Sequence, residues 1–177
     1  MTRPAVIFLS GKGGVGKTTC SLGLGRFLAR TGPTLVVSLD PAHNLGDLAG
    51  VALGREPRRI ADGLMGCEPD LEALGRERTD RTIRLIEQTY RHLDSLSLGG
   101  LPSLLRHSPG LLEQAALDAL AELAGDASNP RNLVVDMPPT ALATRMLVLP
   151  SLQGQWVDVL SRLRNRILDR RASIANV

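Results

Sequence analysis

The stretch "SGKGGVGKTTC", residues 10–20, decides how the rest of the sequence is read. Within it "GKGGVGKT" places Gly11, Gly16, Lys17 and Thr18 at the fixed positions of the spacing G-x-x-x-x-G-K-S/T. An apolar, β-branched run, "AVIFL" at 5–9, precedes it, and Thr18 to Arg30 follows with helical spacing and stops at Gly32-Pro33. Strand, Gly-rich turn and helix in that order form the setting in which such a loop binds phosphate. Glycines let successive backbone N–H groups turn inward around the phosphate oxygens, and the helix N-terminus adds the positive end of its dipole. Lys17 then reaches the β- and γ-phosphates, and the Thr18 hydroxyl ligates Mg²⁺. The candidate nucleotide contacts are therefore Gly11, Lys12, Gly13, Gly14, Val15, Gly16, Lys17, Thr18 and Thr19. Lys12 is one lysine more than the loop needs.

Working outward, "TLVVSL" at 34–39 reads as a second buried parallel strand, which makes the N-terminal segment a βαβ unit. A third strand of the same type, "NLVVD" at 132–136, comes only after about ninety residues dominated by leucine-rich helical periodicity. Ile83, Ile86, Tyr90 and Leu93 share one helical face, as do Leu112, Ala116, Leu120 and Leu123; Trp156, Leu160, Leu163 and Ile167 mark a last helix. The expected fold is α/β, a P-loop NTPase-type, mostly parallel sheet flanked by helices, with a helical insertion. A single domain is expected over 1–177, with the helical region at about 70–125 and the C-terminal helix at about 152–171. The apolar stripe of that last helix is expected to pack on the helical region, and the leucines of "LDSLSLGGLPSLLRHSPGLL" to be core.

Composition narrows the function classes. A formal charge of +3 is modest and spread along the chain, and Phe8, Phe27, Tyr90 and Trp156 are the only aromatics, which argues against a base-stacking reader of single strands. No sequence-specific nucleic acid is expected. Cys20 and Cys67 have neither disulfide-like nor metal-ligand spacing and read as buried thiols of a reducing compartment. No apolar run approaches the roughly 18 residues of a bilayer span, so a cytoplasmic location is expected. His92 and His107 lack partner spacing, and no metal-ligating histidine is expected.

Asp40 and Asp136 stand at the carboxyl ends of the second and third apolar runs, the edge at which open parallel sheets collect ligands. A carboxylate there holds Mg²⁺ through a water or orients an attacking water; a helix cap or turn aspartate is the alternative for either one. The segments they open are unusual, "DPAHNLGD" and "DMPPTALATRML".

With "GKGGVGKTT", these two segments resemble the deviant phosphate-loop ATPases that drive arsenite pumps and deliver tail-anchored membrane proteins. The likeness covers residues 5 to about 150. It implies ATP and Mg²⁺ as cofactors, Asp40 as the group that activates or positions the hydrolytic water, and Asp136 as support for Mg²⁺. Pro41, His43 and Asn44 fall in the first switch, and Pro138, Pro139 and Thr140 in the second. Lys12 takes the place of the signature lysine, which reaches the phosphates bound by the other subunit, so a nucleotide-sandwich homodimer is implied. A client protein or membrane pump subunit is the implied partner, and "GLMGCEP", residues 63–69, an implied further strand. Relatives continue with further strands after the second switch, so a shortened, non-catalytic nucleotide-binding module is an alternative. The basic stripe "WVDVLSRLRNRILDRR" supports another, a membrane- or DNA-surface positioning ATPase with peripheral membrane contact.

Overall fold

The computed structural model describes residues 5–42, 44–89, 106, 110–125 and 132–175. Its strands are β1 (Ala5–Leu9), β2 (Thr34–Ser38), β3 (Arg58–Ala61), β4 (Leu64–Cys67) and β5 (Asn132–Asp136). They form one sheet in the order β1-β5-β2-β4-β3, with β1, β5, β2 and β4 parallel and β3 antiparallel to β4. The helices are α1 (Lys17–Leu28), α2 (Leu45–Ala49), α3 (Leu71–Thr89), α4 (Leu111–Gly125) and α5 (Thr140–Ala175). This is the α/β architecture expected from the sequence.

β2 and β5 read as unbroken apolar runs because both of their faces are covered. Successive side chains point to opposite sides of the sheet, so Leu35, Val37, Leu133 and Val135 pack with Leu71, Ala116, Ala143 and Met146 of α3, α4 and α5. Val36 and Val134 pack on the other side with Leu22 of α1 and Leu45 of α2. Each such fully buried aliphatic side chain contributes about 1.5–3 kcal/mol. The pairing places Leu9, Asp136 and Ser38 side by side. Met137 N–H donates to the Leu9 carbonyl at 3.0 Å and Leu39 N–H to the Asp136 carbonyl at 2.9 Å, so the three strand ends leave the sheet tied together.

Several expectations are corrected. β1 lies at the sheet edge rather than in its middle, with Val6 39% and Phe8 49% exposed, because it has β5 as its one strand neighbour among the described residues. β3 went unread in the sequence, since "RRIADGLMGC" mixes charge with apolar residues. The turn Asp62-Gly63, with Gly63 at a positive φ of 69°, joins it to β4. Cys67, on β4, is fully buried as expected, and burial, with Glu56 and Glu68 adding negative charge, pushes its thiol up to about 12. Cys20 is exposed instead, because α1 turns Lys17, Ser21, Leu22 and Gly25 to the sheet and Cys20 away from it.

In the helical region Ile83 and Ala116 are buried, whereas Leu112, in the first turn of α4, is 38% exposed. Tyr90, His92, Leu93, His107 and most of the leucine-rich segment at 93–112 lie outside the described residues. The last helix begins twelve residues before its expected start, at Thr140, and continues through Pro150. Proline there removes one backbone bond, and the flanking bonds carry the helix on. From residue 151 to 166 every residue is exposed, Trp156 at 66% and Leu163 at 51%, so the stripe does not pack on the helical region. Among the described residues no helix is long and apolar enough to cross a membrane.

Candidate functional site at the carboxyl edge of the sheet

The loop between β1 and α1 has the shape its glycines predict. Gly14 and Gly16 take φ of 77° and 84°, a left-handed conformation that a side chain would strain, and Gly16 caps α1. Lys17 opens the helix as one of its sheet-facing residues and is only 9% exposed. Its Nζ curls back to donate to the Lys12 carbonyl at 3.3 Å and stands 3.8 Å from Asp40 Oδ2. The ammonium is thus held over the hollow of the loop, where phosphate oxygens can take over these weak contacts. Gly13, Gly14, Val15 and Thr19 are exposed around it. Lys12 is exposed too, and among the described residues its ammonium makes no ion pair.

Asp40 and Asp136 meet as the register requires. Asp136 is wholly buried at the end of the interior strand β5, and Asp40 lies two residues beyond the end of its neighbour β2. Ser38, itself 1% exposed, lies between them: its hydroxyl donates to Asp136 Oδ2 at 3.2 Å and accepts from Asp40 N–H at 3.4 Å. Asp40 Oδ1 accepts from Ala42 N–H at 3.1 Å, a local turn that aims the other oxygen at Lys17. Burial raises the pKa of Asp136 above its ordinary value, and the Asp40 charge raises it further; the neighbouring Thr18 hydroxyl, the Ser38 hydrogen bond and the Lys17 charge oppose that rise.

One oxygen of this carboxylate, Asp136 Oδ1, is buried without a hydrogen-bond partner among the described residues. An orphaned, desolvated carboxylate oxygen beside the Thr18 hydroxyl fits a hard divalent cation that keeps part of its water shell. The donor set is all oxygen, as Mg²⁺ requires, and the described residues hold no group of three or more His, Cys, Asp or Glu that would make a closed protein cage. Thr18 and Asp136 are the residues that would hold it, the first directly and the second through water. The ion would supply neutralisation of phosphate charge.

The residues expected to form the two switches follow β2 and β5. Pro41 and Asn44 are exposed on the segment from Asp40 to α2, and His43 lies outside the described residues. Pro138 is buried directly after Met137, while Pro139 and Thr140 are exposed where α5 begins; the Pro139 carbonyl accepts from Leu142 and Ala143 N–H. Sequence reasoning missed two residues. Ser38 is a hydroxyl inside an otherwise apolar strand, and Glu68, directly after β4 at the same sheet edge, is a carboxylate only 7% exposed. A polar group interrupting or ending an apolar run was the available signal for both.

Comparison with known proteins identifies a family. The family model described as anion-transporting ATPase matches residues 4–176. The ATPase GET3 of Lachancea thermotolerans is 30% identical over 170 residues, covering 90% of this chain and 49% of that protein. A protein of Aquifex aeolicus carrying the provisional name arsenical pump-driving ATPase 2 is 31% identical over 166 residues, 93% of this chain and 55% of its own length. The ATPase ARSA1 of Chlamydomonas reinhardtii is 32% identical over 191 residues, 96% of this chain and 24% of its own. The chain thus spans about half the length of the first two relatives and a quarter of the third. A match over nearly every residue, on a sheet whose carboxyl edge gathers the phosphate loop and both aspartates, makes the chain a member of the anion-transporting ATPase family.

Proposed function

We propose that the protein binds ATP with Mg²⁺ and hydrolyses it to ADP and phosphate, as a homodimer that sandwiches nucleotide between two copies of the site. Hydrolysis is coupled to a client protein or to a pump subunit, a reading supported by the pump-driving name of the Aquifex relative. The observation that carries it is the convergence of Lys17, Asp40 and Asp136 on one side of the phosphate loop. In this reading the loop N–H groups and Lys17 bind and orient the phosphates, Asp40 holds the attacking water and takes up its proton, and Asp136 steadies the hydrated cation. Lys12, exposed and without an ion pair among the described residues, reaches the phosphates held by the other protomer. Phosphate release measured against protein concentration tests this. Mg²⁺-dependent turnover per chain that rises with concentration and then saturates is expected; turnover that is absent, or flat from the most dilute sample upward, contradicts it.

Asp136 provides a check on the cation that does not rest on turnover alone. Its pKa is raised in the fold, so the stability it contributes is present below the ordinary carboxyl value of 3.8 and is lost as pH rises through the higher folded-state value. Burial thus penalises the charged carboxylate in the metal-free protein, whereas the unfolded chain hydrates it freely. Asp136→Asn is therefore expected to raise the melting temperature of the nucleotide-free protein near neutral pH, by about 2–4 °C for each kcal/mol relieved, with the gain shrinking toward acid. The same variant should lose Mg²⁺-dependent turnover. Thermal scans across pH with and without Mg²⁺ check this, and an equal loss of stability at every pH would contradict it.

A further inference from the structure

We propose that Glu68 is a positioning residue for the reaction put forward above: its carboxylate latches the N-terminus of α2 and thereby fixes the far end of the segment that carries Asp40. Glu68 Oε1 accepts from Leu45 N–H at 2.7 Å and Oε2 from Gly46 N–H at 3.1 Å. Its own N–H donates to the Gly54 carbonyl at 2.7 Å, so one residue closes both ends of the excursion from 45 to 54. α2 has five residues, far too few to persist without tertiary support, and Asn44 at its N-cap gives it no side-chain hydrogen bond. The carboxylate of Glu68 fills that role from a neighbouring strand, through charge-assisted bonds.

The surrounding residues are built for this contact. Pro69 follows Glu68 and holds it to extended backbone, in line with β4. A Cβ at position 46 would stand 3.2 Å from Oε2 and 3.0 Å from the Val51 carbonyl, so glycine there gives the carboxylate its approach. Leu45, fully buried, anchors the helix in the core beneath. At the near end Ser38 holds Asp40 N–H, and Asp40 holds Ala42. Pro41, Ala42 and Asn44 thus lie between two fixed points, and the position of Asp40 over the phosphate loop depends on both. Glutamine at 68 keeps the shape but turns one acceptor into an N–H donor facing another donor.

The inference rests on the ATPase reading, and the test separates the two. Hydrogen exchange, MgADP affinity, thermal unfolding and steady-state turnover are compared for the 177-residue chain, Glu68→Gln, and Glu72→Gln on the exposed side of α3 as control. In Glu68→Gln, exchange across residues 41–50 should speed up about tenfold or more and kcat should fall by a similar factor, the scale set by losing one hydrogen bond to a charged group. KM and MgADP affinity should match wild type, and the melting temperature should fall by only the few degrees that the loss of one such bond accounts for. Unchanged exchange at 41–50 overturns the latch, and so does a parallel loss of kcat and MgADP affinity, which marks a merely structural residue. Should the glutamine variant not fold, Glu68→Asp, whose carboxylate is one methylene short, decides by the same readouts. If the wild-type chain turns over no ATP, the functional reading falls, while exchange at 41–50 still decides the latch.

Discussion

Replacing Lys17 with alanine is expected to lower ATP turnover by at least about 100-fold, the loss seen when a preorganised donor to developing charge is removed. The ammonium is nearly buried, fixed by the first turn of α1, and already held toward the loop by the Lys12 carbonyl and Asp40. A cation so placed needs no reorganisation when phosphate arrives. Alanine suits the start of a helix, so the fold should survive. The variant does leave Asp40 without its ion-pair partner, and a modest change in melting temperature is expected beside the loss of turnover. Steady-state phosphate release together with a thermal scan separates the two effects. Turnover within a few-fold of wild type would remove Lys17 from the proposed chemistry.

Lys12→Ala is expected to produce a loss of comparable or larger size for a different reason. A cation supplied across an interface to a transferring phosphoryl group accounts for about 10³–10⁵ in rate. Among the described residues the Lys12 ammonium makes no ion pair: the backbone carbonyl of Lys12, not its side chain, serves Lys17, and the alanine variant keeps that carbonyl. Nucleotide binding by the isolated protomer and thermal stability should therefore remain near wild type, while turnover and nucleotide-dependent dimerisation fall. Sedimentation of the variant with MgADP and with a non-hydrolysable ATP analogue, beside a turnover assay, checks both halves of that expectation. A drop in binding by the monomer would instead make Lys12 an ordinary loop contact.

The phosphate loop was legible because its chemistry lies within eight consecutive residues between a strand and a helix. Asp40 and Asp136 were legible as carboxylates ending apolar runs. Their connection was not. Ser38 and Asp136 are 98 positions apart, and only the register of β2 on β5 brings the hydroxyl to the carboxylate. Glu68 depends in the same way on β4 lying beside β2, which carries its side chain to backbone groups more than twenty residues earlier. Parallel sheets place residues distant in sequence side by side, and a local reading sees only one member of each pair.

Burial was legible where both faces of a strand are covered and misleading where they are not. "AVIFL" has the same apolar character as "TLVVS", yet β1 is an edge strand and β2 a central one. Periodicity likewise identified the last helix while saying nothing of what its stripe touches. Its exposure through residue 166 follows from the direction in which α5 leaves the sheet, a tertiary fact.

The shared site is tested most directly by mixing Lys12→Ala chains with Lys17→Ala chains and measuring ATP turnover. If Lys12 serves the partner's phosphates, a mixed dimer regains one complete site: Lys17 and Asp40 from the first chain, Lys12 from the second. Equal amounts that exchange freely form half mixed dimers, so turnover should return to about a quarter of wild type. Turnover that stays at the sum of the two variants would contradict a site built from both chains.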